Sequence, residues 1–491
     1  MSFEVVVVGG GIGGLTCAAL LAARGARVCL VERATRAGGC AASFEHLGHE
    51  FETGAGLYAG WGPSGLHERV FAELPVAAPE MREVSPAYAV RLHGGADVRV
   101  GVGSEEFFET LRASFPECAD HAVSFYQDAS QTADALRRAA RRAPALANLS
   151  GLQLMRLAAS EPRLAPRILK ARGDTASRHL GLTSERFRRF VDAQLQTFAL
   201  CASDECSYLY AAVALTEPLR PTHALRGGAQ ALADTLVESI MKSGGTVRLD
   251  TTALRLAFDS QGRANGVILL TGETVGATRA VVSNLTVWDT YGKLVGAERT
   301  PAHVRAQLKS LRGPGVYQIF MSLDEEAARR LPSDRVLALD DSTFMLGAAP
   351  EWDARAPSGR RAATVTAFTD AERWFAFHAD EAEHEEQDAR ALEDLWSRLH
   401  AALPEIGSGA EVFETATPRT FYERTRRRFG MVCGLPRTPE LLEGPRALTH
   451  RTSVPNLLNV GDTVFPGAGL AAVTHSALVV ADELAPRDVR A

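Results

Sequence analysis

Residues 3–33 read FEVVVVGGGIGGLTCAALLAARGARVCLVER. Val5 to Val8 is an unbroken β-branched run, the pattern of a strand buried on both faces. Gly9, Gly11 and Gly14 follow as G-x-G-x-x-G, and an Ala- and Leu-rich apolar segment then stops at Gly25, a residue suited to a helix end. A second β-rich run, Val28 to Val31, ends at Glu32, 18 positions after Gly14. Strand, glycine turn, helix, strand and acid, in that order, make a dinucleotide-binding unit. Gly9 allows the tight turn, Gly11 lets a pyrophosphate approach the backbone, and Gly14 lets helix and strand sit close. Ile12 and Gly13 complete the phosphate loop, whose free N–H groups and helix dipole favour negative charge. Glu32 is expected to accept hydrogen bonds from a ribose 2′-hydroxyl and to repel a 2′-phosphate, which disfavours NADP.

With 491 residues the chain exceeds one ordinary domain, and 46% hydrophobic with 23% charged residues is a globular composition. A net charge of −6 and the lack of a basic stacking motif argue against nucleic acid. Seven cysteines, odd in number and without a C-x-x-C pair, suit a reducing, cytoplasmic location and offer no metal site. Val5 to Ala23 is an uncharged window of 19 residues, but its five glycines match the nucleotide unit rather than a transmembrane helix. Glu4 stands where a secretory signal would carry basic residues.

Glu32-Arg33 leads to the glycine pair Gly38-Gly39, then Cys40, Ala41 and Ser43, and then to G-x-x-F-x-x-G at Gly48, Phe51 and Gly54. Near the C-terminus, residues 456–484 read NLLNVGDTVFPGAGLAAVTHSALVVADEL. A strand at Leu457–Val460 is expected there, then a turn over Pro466–Gly469 and a helix from about Leu470. Together these stretches resemble the large flavoprotein group that holds phytoene desaturases, carotenoid isomerases, retinol saturase and amine oxidases. The resemblance implies FAD as cofactor, bound by an α/β, Rossmann-like domain of the glutathione-reductase/amine-oxidase type with an inserted α+β substrate domain. It implies that Arg33, Gly38, Gly39, Cys40, Ala41, Gly54 and Ala55 line the pyrophosphate and approach the flavin. Many members carry Arg after the glycine pair; this chain has Cys40, which puts a charge contact near the phosphate in doubt. The closing motif places Gly461 at the ribityl chain and Asp462 at its hydroxyls. It places Gly469, Ala472 and Val473 at a helix N-terminus facing the flavin, whose partial positive charge favours the reduced anionic ring.

Between the two ends, Gly227-Gly228 opens a helix expected to stop at Gly244-Gly245, followed by a strand. The resemblance implies that Ala253 crosses the adenine and that Ser283-Asn284 ends a further strand of the FAD domain. Glu73 to Val102 reads as short strands with a hairpin at Gly94-Gly95, and Ser104 to about Tyr210 as helices. Within the helices, residues 137–172 carry nine basic side chains against Glu161, interleaved with Leu and Met. A solvated helix face is one reading; a monotopic membrane-surface patch is the other. Gly315–Leu323 and Ala363–Phe368 read as strands, and Ala379–Leu399 as a charged amphipathic helix. Its acid run, 380–386, reads as a solvated face rather than a metal site. T-P-R-T at 417–420, Tyr422, arginines 426–428 and Gly430 resemble carotenoid isomerases more than amine oxidases.

The FAD domain is therefore expected in three pieces, 1–75, 221–296 and 441–491, with the substrate domain in 76–220 and 297–440. The function implied is FAD-dependent oxidation or cis–trans isomerisation of a long apolar polyene or isoprenoid. In desaturation a hydride passes to flavin N5 and a proton is lost; isomerisation uses reduced flavin with no net redox change. Alternatives within the group are an amine oxidase or a reductase of lipid alkenes; outside enzymes, a GDP-dissociation-inhibitor-like binding protein. His223, His450 and His475 lie in or beside cofactor segments and read as structural, so no catalytic side chain is assigned and no metal is expected.

Overall fold

The computed structural model describes residues 2–54, 56–63, 65–145, 155, 159, 165–339, 343–376, 380–443 and 446–487. Two seven-stranded sheets organise it. The first runs, in spatial order, Ala253–Phe258, Ala264–Leu269, Thr274–Ser283, Ser2–Val8, Val28–Val31 and Thr246–Arg248. Leu457–Asn459 joins it as a seventh strand, parallel to the end of Thr274–Ser283. Strand Thr274–Ser283 lies along Ser2–Val8 on one edge. Its other edge is shared by two neighbours, an antiparallel one at Thr274–Gly276 and the parallel Leu457–Asn459 at Val281–Ser283.

Val5, Val6 and Val7 are fully buried, as a strand covered on both faces must be. One face is covered by helix Ile12–Ala23, which buries every residue from Ile12 to Ala22. Against it pack the helices Gly228–Lys242 and Leu470–Leu484, so Leu15, Ala18, Leu232, Ala477, Leu478 and Ala481 share one apolar cluster. The small residues on the first helix let three helices approach closely. The glycines expected to bracket Gly228–Lys242 do so, with Gly244 and Gly245 just beyond its end.

The second sheet runs Ala410–Ala416, Gly315–Asp324, Arg360–Thr369, Phe344–Ala348, Arg335–Ala338, Tyr88–Arg91 and Asp97–Val100. All its pairings are antiparallel except that of Arg335–Ala338 with Tyr88–Arg91. The hairpin expected at Gly94-Gly95 joins its last two strands. Strand Arg360–Thr369 is longer at both ends than the apolar run in the sequence. Helices Ser104–Ser114, Ala119–Arg142, Glu185–Ala199 and Tyr208–Thr216 form an apolar cluster around Phe107, Tyr126, Phe187 and Phe190.

A two-stranded ribbon, Met81–Val84 with Thr222–Leu225, ties the entry and exit of the helical segment together. A buried ionic knot reinforces the seam. Arg355 pairs with Glu52 at 3.0 Å and with Asp353 at 2.6 Å and donates to the Leu225 carbonyl, while Asp353 accepts from the Gly227 N–H. Glu52 ends the strand His49–Glu52 and Arg355 lies in the loop between strands Phe344–Ala348 and Arg360–Thr369, so the knot ties that loop of the second sheet to the segment after the glycine pair. A cavity of about 30 Å³ beside it is lined by Glu50, Glu52, Arg335 and Arg355.

Much of the basic stretch lies outside the described residues, at 146–154, 156–158 and 160–164. Of its described cations, Arg137 pairs with Glu217 and Asp134, Arg167 with Asp128, and Arg172 donates to the Glu443 carbonyl. Among the described residues no helix is long and apolar enough to cross a membrane.

Candidate functional site

The site sits at the C-terminal edge of the parallel strands, where the first strand turns into its helix. Gly9 makes that turn at φ +100°, a conformation that side-chain-bearing residues rarely adopt. A Cβ on Gly14 would lie 2.2 Å from the Gly9 carbonyl oxygen, so the helix can seat on the strand only with glycine there. Gly11 is the helix N-cap and offers no side-chain cap, and the first turn carries no acid. The free N–H groups of Ile12 to Gly14 are thus left for a ligand.

Glu32 stands beside this turn. Its Oε2 accepts from the Gly10 N–H at 2.6 Å and its Oε1 from the Ala34 N–H at 2.7 Å. A Cβ on Gly10 would meet Glu32 at 3.1–3.2 Å, so the middle glycine, which the G-x-G-x-x-G reading passes over, is also needed. Thr251 N–H bonds the Glu32 carbonyl at 2.8 Å and Asp250 N–H the Ala34 carbonyl at 2.9 Å. That bonding carries the chain past the acid into the strand that opens at Ala253. Arg33 turns away and donates to the Arg424 carbonyl.

The second glycine pair closes on the first. Gly38 N–H bonds the Gly10 carbonyl at 2.8 Å, and a Cβ on Gly39 would lie 3.1 Å from Gly11 Cα. Cys40 and Ala41 continue as a short 3₁₀ turn, whose start is tied to the G-x-x-F-x-x-G loop by Thr53 Oγ1 donating to the Cys40 carbonyl at 2.8 Å. Gly54 lies in that loop; Ala55 lies outside the described residues.

The C-terminal motif meets the same place. Asn284 N–H bonds the Val8 carbonyl at 2.8 Å, and its side-chain amide donates to the Gly9 carbonyl at 3.3 Å. Cβ atoms placed on Gly11, Gly13 and Gly461 would all fall within 3 Å of that amide. A Cβ on Gly13 would also lie 3.3 Å from Gly461 Cα. The two ends of the sequence therefore meet across Asn284, in a cradle of bare backbone. Ser283 Oγ is satisfied by Thr290 Oγ1 at 2.7 Å and orders the strand end. Gly469 is the uncapped N-cap of the last helix, with Ala472 and Val473 in its first turn.

Sequence reading missed the cations. Arg427 Nη2 donates to Asp462 Oδ2 at 2.5 Å, and its Nη1 lies 3.5 Å from Cys40 Sγ. A guanidinium thus reaches the place beside the glycine pair where the chain lacks its expected arginine. The signal was in hand, the arginine run 426–428, but nothing in spacing tied it to residue 40. Burial opposes the Arg427 charge, yet the Asp462 carboxylate holds it above the ordinary arginine range. Burial raises the Cys40 thiol and pushes that of Cys433 up to about 12, so both stay protonated at neutral pH. Arg437, 3% exposed, donates to the Asp462 carbonyl at 3.3 Å.

The flanking histidines are engaged structurally. His450 meets Glu483 at 2.8 Å and His475 the Pro144 carbonyl at 2.8 Å, while His223 lies in the ribbon; burial lowers the pKa of all three. Among the described residues no cluster of His, Cys, Asp or Glu could hold a metal. The acid run of helix Glu381–Ala402 is largely solvent-facing. A glycine cradle at two uncapped helix N-termini, an acid beside the first and the guanidiniums of Arg427 and Arg437 at Asp462 fit the phosphates, ribose and ring of FAD.

A profile of the family described as flavin containing amine oxidoreductase matches residues 12–483. The chain is 25% identical to prolycopene isomerase of Arabidopsis thaliana, over 98% of this chain and 82% of that protein. It is 25% identical to all-trans-retinol 13,14-reductase of Homo sapiens, over 65% of this chain and 53% of that protein. An oxidoreductase from Methanosarcina mazei shares the fold, with a TM-score of 0.65 at 18% identity over 98% of this chain and 99% of the other. The chain belongs to the flavin containing amine oxidoreductase family and is an FAD-dependent oxidoreductase.

Proposed function

We propose that the protein acts on a long apolar polyene, by isomerising or desaturating it beside FAD. The observation that carries this reading is the match to prolycopene isomerase along 98% of the chain, through both sheets and the helical segment. The site supports it by what its side chains are committed to. His450 and His475 are bonded away and held neutral, so neither is offered as an acid–base group. Isomerisation by reduced flavin asks for none; desaturation passes a hydride to the flavin and its proton to a base or to water. The bound cofactor supplies a hydride acceptor, or in its reduced form an electron donor to a conjugated chain.

In this reading the chain's own residues position and exclude water. Gly9, Gly11, Ile12, Gly13 and Gly14 take the pyrophosphate with Gly38, Gly39, Cys40 and Ala41. Glu32 takes the ribose and Ala253 the adenine. Asn284, Gly461 and Asp462 take the ribityl chain, and Gly469, Ala472 and Val473 the ring. The FAD-binding part comprises 1–75, 221–296 and 441–491, and the remainder holds the substrate. Partly buried Phe368 and Phe413 of the second sheet, with Phe44 of the strand Ser43–His46, pack on the Phe51 and Phe320 cluster and supply apolar surface. We propose further that residues 137–172 rest on an anionic membrane surface, from which such a substrate would enter.

Co-expression with polyene precursors and chromatography of the pigments tests the reading. Isomerisation changes retention at constant mass; desaturation removes two hydrogens and moves the absorption maximum to longer wavelength. Peroxide release from amines with an unchanged pigment profile would overturn it. A mass gain of two hydrogens would point to alkene reduction, the reading favoured by the retinol reductase match.

A further inference from the structure

Arg437 is buried with only 3% of its surface exposed, and its Nε has no hydrogen-bond partner. The guanidinium offers five donors. One meets the Asp462 carbonyl at 3.3 Å, and the group's carbon lies 5.6 Å from the centre of the Tyr210 ring. Among the described residues no carboxylate pairs with it; Asp462, whose carbonyl it meets, has its carboxylate taken by Arg427 at 2.5 Å. A buried guanidinium without a counter-charge is a cost that folds seldom carry unless an anion arrives.

Its position says which anion. The Arg437 backbone is fixed to the helical segment, N–H to the Ala199 carbonyl at 3.0 Å and carbonyl from the Ser207 N–H at 2.8 Å. Its side chain crosses to the closing motif and lies where Gly467 would carry a side chain: a Cβ there would be 1.9 Å from the guanidinium carbon. Gly467 belongs to the turn that feeds the uncapped helix N-terminus at Gly469. A fixed cation and a helix N-terminus therefore flank the same turn.

We propose that Arg437 is a flavin-facing residue whose unpaired charge stabilises the ring system in its reduced, anionic form. It raises the cofactor's reduction potential by binding reduced FAD more tightly than oxidised FAD. This rests on the placement of the ring at the closing motif; retention of FAD by Glu32 variants tests the adenosine placement independently. Glycine is required at 467 because Arg437 fills that space, and Arg437 takes no part in proton transfer.

The test is the potential of the FAD-loaded protein, measured against a reference dye during slow reduction with xanthine and xanthine oxidase. Arg437→Gln should shift the equilibrium toward oxidised flavin at least fivefold, about 20 mV for a two-electron couple. Arg437→Lys, which keeps the charge, should restore most of that shift. A merely structural role would loosen FAD in both redox states equally and leave the potential within fivefold of the parent, and that result overturns the proposal. Lost binding of a polyene with an unchanged potential overturns it too, and assigns Arg437 to the substrate. Should Arg437→Gln not fold, the parent protein decides. Its bound flavin must be reduced at least fivefold more readily than free FAD, and a bound potential at or below that of free FAD overturns the assignment.

Discussion

Asn284 and Gly461 meet where the two ends of the sequence come together: Asn284 Oδ1 lies 2.9 Å from where a Cβ on Gly461 would stand. Asn284 ends a strand of the first sheet and Gly461 follows the strand added at residues 457–459. Their contact fixes how far apart the two glycine-bearing motifs sit. The geometry leaves room for backbone and one amide, and for nothing bulkier.

Gly461→Ala should therefore damage cofactor binding more than folding. Gly461 holds φ +111°, which costs an alanine about 1–2 kcal/mol, and the new methyl would press on Asn284. If the cradle opens to relieve that strain and must close again on the cofactor, FAD binding loses the same energy, about tenfold. The flavin-to-protein absorbance ratio after gel filtration measures it; a ratio equal to the parent's would place the cofactor elsewhere.

Glu32→Ala removes two charge-assisted acceptors, those of the Gly10 and Ala34 N–H groups, and the expected ribose contact. The loss should be on the order of 2–4 kcal/mol and appear as poor FAD retention. A mutant that purifies fully yellow would show that the adenosine lies somewhere else.

Arg427→Ala leaves the Asp462 carboxylate without its partner, at 17% side-chain exposure. Breaking a buried pair on one side costs about 3 kcal/mol, whereas removing both charges is nearly neutral. Urea unfolding should rank Arg427→Ala well below the parent, with Arg427→Met/Asp462→Asn recovering most of the difference. A double variant as unstable as the single one would mean that the guanidinium serves another anion.

His67 predicts an acid sensitivity. It stacks on Trp61 with ring centroids 4.5 Å apart, its Nε2 has no partner, and burial lowers its pKa to about 3. The unfolded chain takes up the proton near pH 6.5 while the folded one refuses it, so stability falls as the pH drops below that value. From pH 7 to pH 5 the protein should lose about 2 kcal/mol through this residue. His67→Leu should lose that much less over the same interval in urea titrations followed by tryptophan fluorescence. Equal losses in both proteins would assign the sensitivity to other groups.

Vesicles rich in anionic lipid should carry the protein upward in flotation, and high salt should release it, if the basic stretch 137–172 meets headgroups. Absence of flotation at low salt would leave these side chains as a solvated face. The pairing of Arg137 with Glu217 and of Arg167 with Asp128 already reduces the charge on offer.

The features legible in sequence were those set by near neighbours. Val5–Val8, the glycine spacing and the acid at 32 lie within one unit, and each element's period or turn chemistry identifies it. The closing motif was equally plain because strand, glycine turn and helix follow one another directly. What could not be read are contacts between distant positions: Arg427 with Cys40, 387 residues apart, and Arg355 with Glu52, 303 apart. An arginine run looks the same whether it faces water or fills a gap left by a cysteine, and only the fold decides. The order of the second sheet was hidden for the same reason, since its strands pair across the helical segment.

The strand at residues 457–459 gives the fold a timetable. On the ribosome the opening strand emerges about 450 residues, roughly 25–90 s, before the neighbour that completes its sheet. Until then the nascent nucleotide unit lacks its last strand and covering helix, and chaperones are the natural guardians of its apolar helix face. The glycine cradle that Asn284 and Gly461 share is therefore complete only once residues 457–484 have been made.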